Sequence, residues 1–248
     1  MFICDSHVHL KHGDAAGTEY PPEAIVRTMD AARINRSVVF AMQTSTRRSV
    51  ELADEAVRKF PDRLVGYVYA VPSFERAALD EIDAAITGHG ARGIKLHAGE
   101  TSLRPHVVDP VFELAARHRV PCLVDCRGNL EAMDRITRDF PDATVIIAHL
   151  GRYLCEDAEL IDRFIRLAGA RPSVVLDVSG VVLTASIADA VRRVGSDRVV
   201  WGSDGPQESP DPVTFARTEL DKIRGLALTE GEKADVLGNT IARLLGLG

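Results

Sequence analysis

Eight short β-branched runs, separated by stretches of helical periodicity, recur along almost the whole chain. The runs are Phe2–Asp5, Ser37–Met42, Leu64–Ala70, Gly93–His97, Val120–Cys126, Thr144–His149, Val174–Val178 and Arg198–Gly202. Strands that alternate with helices are joined by right-handed crossovers, which makes the strands parallel. Two architectures satisfy this pattern. An open doubly wound sheet carries its chemistry at one switch point, with a glycine-rich phosphate loop after the first strand. No such loop follows Phe2–Asp5, and ionisable residues close run after run. A closed barrel gathers every strand end into one ring. The expectation is therefore a single (β/α)₈ TIM barrel, one α/β domain over residues 1–248.

Local chemistry marks the boundaries between runs. Helical segments are expected at Pro22–Arg33, Arg48–Phe60, Phe74–Thr87, Pro110–His118, Leu130–Phe140, Glu156–Ala168 and Ala185–Val194, with a last one over Thr229–Leu245. Phe60-Pro61 and Phe140-Pro141 should each end a helix, because proline disfavours the helical conformation of the residue before it. Asp109-Pro110 and Asp211-Pro212 read as helix starts, and Thr229 with Glu232 has capping-box spacing.

At 248 residues the chain has room for a large core without disulfides or a structural metal. Its formal net charge of −6 and the absence of a Lys/Arg stripe argue against nucleic acid as the main partner. Cys4, Cys122, Cys126 and Cys155 have no zinc-finger spacing. No signal peptide or membrane-length apolar run is present, so a cytoplasmic protein with reduced thiols is expected. A small molecule is the expected partner, with neither nucleic acid nor membrane, and a homo-oligomer is left open.

The sharpest motif is Asp5-Ser6-His7-Val8-His9. Residues two apart in an extended segment project to the same side, so His7 and His9 can offer two nitrogens to one cation. Alone, the pair reads more readily as two unrelated loop histidines. Other strand ends add weight. Lys95 and His97 share one side of their run, while Ile94 and Leu96 take the other. Later runs close on Asp125, His149 and Asp204. One polar closure is an ordinary cap; this many, rich in His, Lys and Asp, point to a common site. Cys126 is out of phase with Asp125 and should face the helices.

The pattern His7-x-His9, Gly-Ile-Lys95-Leu-His97, Ala-His149-Leu-Gly and Gly-Ser-Asp204 resembles the amidohydrolase superfamily. It is most similar to the branch containing aminocarboxymuconate-semialdehyde decarboxylase, from the first strand to the eighth. That resemblance implies His7, His9 and Asp204 as ligands of a divalent metal, usually zinc, with His149 beside the reacting centre. The family's fifth-strand histidine is replaced here by Asp125. A carboxylate can ligate zinc and makes manganese more plausible; alternatively Asp125 pairs with Lys95 and no metal binds.

The chemistry expected is hydrolysis of an amide, lactone or ester-like bond. Asp204 would take the proton of an attacking water and His149 would stabilise the carbonyl oxygen. Lys95 is expected as a structural or electrostatic partner of Asp125 or Asp204, and His97 as a substrate contact or a loop residue. Of the arginines after strand ends (Arg47, Arg48, Arg104, Arg127 and Arg152), Arg127 and Arg152 are the best placed to hold a substrate carboxylate. His12, His89, His106 and His118 receive no role. Three alternatives stay open: a non-oxidative decarboxylase, a metal-independent lactonase, and a catalytically inactive binding barrel.

Overall fold

A computed structural model of the chain describes residues 1–74 and 76–247. Glu75, within the helix expected at Phe74–Thr87, and Gly248 lie outside the described residues. The strands are β1 Cys4–Lys11, β2 Arg36–Ala41, β3 Leu64–Gly66, β4 Val68–Tyr69, β5 Ile94–His97, β6 Cys122–Asp125, β7 Val145–Ile147, β8 Val174–Asp177 and β9 Val199–Val200. Helices alternate with them: α1 Pro22–Ala32, α2 Thr46–Lys59, α3 Arg76–Gly88, α4 Pro105–His118, α5 Leu130–Asp139, α6 Ala158–Ala170, α7 Ala185–Val194 and α8 Pro212–Arg224.

Every strand pair is parallel. The order β1-β2-β3 passes into β4 through to β9 along the single segment that holds β3 and β4, interrupted only at Tyr67. At the other seam, Ser6 N donates to Trp201 O at 3.1 Å, Asp204 N to His7 O at 2.9 Å and His9 N to Gly205 O at 2.7 Å. Buried Asp5 stitches the same seam, accepting from Ser203 N at 2.8 Å and His7 N at 3.1 Å. The first strand thus meets the segment after the last, as in a TIM barrel.

Two apolar layers follow from strand alternation. One lines the barrel interior, with Val38, Phe40, Tyr67, Tyr69, Leu123, Ile146, Val175 and Val200, and Ile241 and Leu245 of the last helical stretch join it. The other lies between strands and helices and takes Ile94, Leu96, Val124 and Cys126. The split of β5 into Ile94/Leu96 outward and Lys95 inward is the alternation read from the sequence.

Helix ends follow their local chemistry. Ser45 caps α2, accepting from Arg48 N at 3.2 Å, and Phe60 and Phe140 close α2 and α5 before their prolines. Thr229 and Glu232 form the capping box, with Thr229 N donating to Glu232 Oε2 at 2.7 Å. Several boundaries differ from expectation. Helix α4 begins at Pro105 instead of Pro110, since Pro105 takes the first-turn position that proline tolerates. Strand β1 extends past Asp5 to Lys11, because pairing with β2 continues through Lys11 opposite Ala41. No helix among the described residues is long and apolar enough to cross a membrane.

Candidate active site

The C-terminal ends of the strands open into a cavity of about 1050 Å³ lined by His7, His9, Lys95, Asp125, His149 and Asp204, among others. His97, Arg127, Arg152 and Tyr153 form part of its rim. His7 and His9 lie within β1, and the strand's register shifts after Asp5 and after His9. The two imidazoles still converge: Nε2 of His7 is 3.1 Å, and Nε2 of His9 2.9 Å, from the same Oδ1 of Asp204.

Asp204 and His149 reach this point through unusual backbone. Both adopt left-handed conformations, with φ of 60° at each. Asp tolerates that region better than most residues, whereas His149 is followed by Leu150 at φ 49° in a tight turn over Ala148–Gly151. The turn closes on Gly151 at φ 106°, where a Cβ would sit 2.1 Å from the Phe164 ring. Only glycine fits. This turn swings the His149 ring off the strand axis and into the cavity. Such strain concentrates at functional sites.

Proton positions follow from donor chemistry. An ammonium can only donate, so Lys95 Nζ, 3.1 Å from His7 Nε2, fixes that nitrogen as an acceptor. His7 Nδ1 then carries the hydrogen and donates it to Asp177 Oδ2 at 3.2 Å. His149 Nδ1 donates to the Ser179 carbonyl at 2.9 Å. Asp177 Oδ2 also accepts from Ser179 Oγ at 2.6 Å and from His149 N at 3.2 Å. One buried carboxylate therefore orients both histidines. Neither Asp177 nor Ser179 was singled out in the sequence, although Val174–Val178 contains the same apolar run closing on Asp that flagged the other strands.

Asp125 is engaged differently. Its Oδ1 accepts from Arg127 N at 2.9 Å, and its Oδ2 lies 3.1 Å from His97 Nε2 and 3.6 Å from His149 Nε2. Gly99 N donates to His97 Nδ1, so the Nε2 of His97 is the donor to Asp125. The ligand atoms that lie within 4.8 Å of one another belong to His7, His149 and Asp204. Lys95 meets His7 directly; burial lowers its pKa, and Asp125, Asp204 and Asp177 at longer range work against that shift. His12 stacks on His9 with ring centroids 4.3 Å apart and donates from Nε2 to Pro206 O at 2.6 Å. Arg47 and Arg48 pair with Glu81 and Glu51, and Arg104 lines a separate groove.

Electrostatics divides the histidines. Burial, reinforced by the nearby Lys95 charge, pushes His7 well below the ordinary histidine range, and burial lowers His9 to about 4. Burial also opposes charge on His149, but the carboxylates of Asp125, Asp204 and Asp177 outweigh it and raise that group to about 9. Burial would raise Asp204, yet His7, His9 and His149 hold it well below the usual carboxylate range. At neutral pH the site thus holds an ionised Asp204, two neutral imidazoles and one imidazolium.

These residues fit a divalent cation. His7 Nε2 and Asp204 Oδ1 face each other at 3.1 Å with no proton available on either, a contact that repels unless positive charge lies within reach. His9 Nε2 shares that oxygen, and its Nδ1 is buried without a partner. Two imidazole nitrogens and a carboxylate, with His7 fixed from behind by a carboxylate, form a donor set of the kind zinc accepts.

Comparison with solved structures supports the fold. An uncharacterized TIM-barrel protein from Bordetella bronchiseptica is 17% identical, with a TM-score of 0.80 and 99% of each chain covered. An amidohydrolase from Burkholderia multivorans, solved with bound zinc, gives 17% identity, a TM-score of 0.80 and 99% coverage of both chains. The 5-carboxyvanillate decarboxylase of Sphingomonas paucimobilis gives 16% identity and a TM-score of 0.74, again over 99% of each chain. No curated protein matches in sequence. The family description amidohydrolase matches residues 4–247, from the first residue of β1 to just past the last helix, which ends at Leu245. A match of that extent, on a barrel whose strand ends converge as described, makes this chain a member of the amidohydrolase family.

Proposed function

We propose that the protein is a metal-dependent hydrolase acting on an amide, lactone or ester-like bond of a small carboxylated molecule. The observation that carries this reading is the convergence of His7, His9 and Asp204 at the floor of the cavity, with the His149 imidazolium beside them. His7, His9 and Asp204 would hold the cation, and the His149 ring stands close enough to that position to face a substrate bound there. Zinc suits the imidazole nitrogens best, with manganese as the alternative. A bound divalent cation lowers the pKa of water toward about 7 and polarises a carbonyl.

The chain's own groups divide the remaining work. Asp204, ionised and buried, accepts the proton of the attacking water. His149, raised to about 9, donates a hydrogen bond to the carbonyl oxygen as negative charge develops there. Asp125 accepts from His97 and lies 3.6 Å from His149 Nε2, which favours a positioning role for it over direct ligation. Arg127 and Arg152 have no carboxylate partner among the described residues and point the rim's positive charge at the cavity. Their guanidinium forks suit a substrate carboxylate, and His97 lies between that rim and Asp125. Four buried, unpaired cysteines support a reducing, cytosolic setting.

Turnover of a panel of lactones, amides and aromatic acids, with and without a chelator, tests the proposal. Lactone or amide hydrolysis that stops on chelation and returns with zinc supports it. Carbon dioxide release from an aromatic acid would move the protein to decarboxylation, a chemistry the same scaffold hosts in the Sphingomonas enzyme. Hydrolysis that survives complete metal removal would sink the metal dependence.

A further inference from the structure

Lys95 lines the cavity, and no hydrolytic step above employs it. It is 1% exposed, on β5, and its ammonium rests 5.2 Å from the centre of the Phe40 ring. Its hydrogen-bond partner is the Nε2 of His7 at 3.1 Å, the same lone pair that a cation on His7 and Asp204 requires. Around it stand the carboxylates of Asp125, Asp177 and Asp204, all buried. Buried carboxylates this close together repel one another unless cationic groups stand among them.

We propose that the Lys95 ammonium is a built-in placeholder: it holds the cation position on His7 in the ion-free protein, and a divalent cation binds by displacing it. The inference rests on the metal-dependent reading given above. The His7–Lys95 contact and a His7–cation bond use one lone pair and exclude each other. The side chain has somewhere to retreat. His97, two residues on and on the same face of β5, lies opposite Asp125 in the β5–β6 register. Asp125 also acts on Lys95 more strongly than any other charged group does. Lys95 thus keeps the ligands assembled before the ion arrives, and its competition sets how tightly the ion is held.

Zinc affinity by chelator competition on the wild type, Lys95→Met and Lys95→Gln tests this without reference to turnover. Removing a competing charge a few ångströms from the ion should tighten zinc binding about tenfold or more in both variants. Unchanged or weaker binding in a folded variant overturns the proposal, and weaker binding would make Lys95 a ligand. Crystal structures of the wild type with and without zinc supply the second arm should neither variant fold. Nζ should lie beyond hydrogen-bonding distance of His7 Nε2 when zinc is present; an Nζ that stays there, or bonds the ion, refutes displacement. Zinc uptake by the variants alone supports the placeholder while removing the metal-dependent reading. Failure of all three proteins to bind zinc removes both.

Discussion

Replacing Asp177 with asparagine probes how the histidines are held. The carboxylate is fully buried. Its Oδ2 takes His7 Nδ1, His149 N and Ser179 Oγ, and its Oδ1 takes Ser179 N at 3.2 Å. An asparagine that keeps its oxygen toward the first three turns its NH₂ toward Ser179 N, donor against donor. Losing charge assistance costs about 1 kcal/mol in each of three bonds, and an unmade buried bond adds about 1–3 kcal/mol. Relief of repulsion with buried Asp5 offsets part of that. A net loss of about 3 kcal/mol follows, or roughly 6–12 °C in Tm for a domain of this size. His7 should also lose its fixed tautomer, and zinc affinity should fall about 10- to 100-fold, as for other partners behind metal-binding histidines. Urea unfolding and chelator competition read the two effects separately. An Asp177→Asn protein with wild-type zinc affinity would refute the claim that Asp177 positions His7 for a cation, whatever its stability.

Three other perturbations test separate parts of the account. Gly151→Ala should destabilise the fold by about 2–4 kcal/mol, since the new Cβ meets Phe164 at 2.1 Å in a left-handed backbone; a wild-type urea midpoint contradicts this. His149 binds its proton more tightly folded, at about 9, than unfolded, near 6.5. Its stabilisation is therefore full below 6.5 and lost as pH rises through about 9. In metal-free protein the unfolding midpoint should fall over that window, and His149→Gln should flatten the fall; parallel profiles would count against the buried imidazolium. Arg127→Ala and Arg152→Ala, both on the exposed rim, should each weaken binding of a small carboxylate competitor roughly three- to tenfold, less so at high salt. Equal affinity in both variants removes them from the substrate site.

The ring of strands was legible because its signals are local. Alternation alone separates Lys95 and His97 from Ile94 and Leu96, and helix stops at Phe60 and Phe140 follow from the prolines behind them. Strand ends were less so: the run Arg198–Gly202 shrinks to Val199–Val200, where the pairing with β8 stops while backbone bonds to β1 go on at Trp201, Asp204 and Gly205. The conformation of His149 depends on Gly151 clearing the Phe164 ring, a contact that no spacing encodes. Asp177 was legible in principle, since Val174–Asp177 is an apolar run closing on Asp like the others; its bond to His7, 170 positions earlier, is what the sequence did not show. Asp125 was marked as a ligand by its place in the strand order; its Oδ2 lies 3.1 Å from His97 Nε2 and its Oδ1 accepts from Arg127 N, contacts that no spacing announces. His12 gained its place on His9 only through the path of the chain after β1.

Metal content of the purified protein, measured after zinc reconstitution and removal of free ion, bears most directly on the convergence of His7, His9 and Asp204. The wild type should hold about one divalent ion per chain, and a folded Asp204→Asn variant far less. A wild type that retains no metal, or an Asp204→Asn protein with undiminished occupancy, would contradict it.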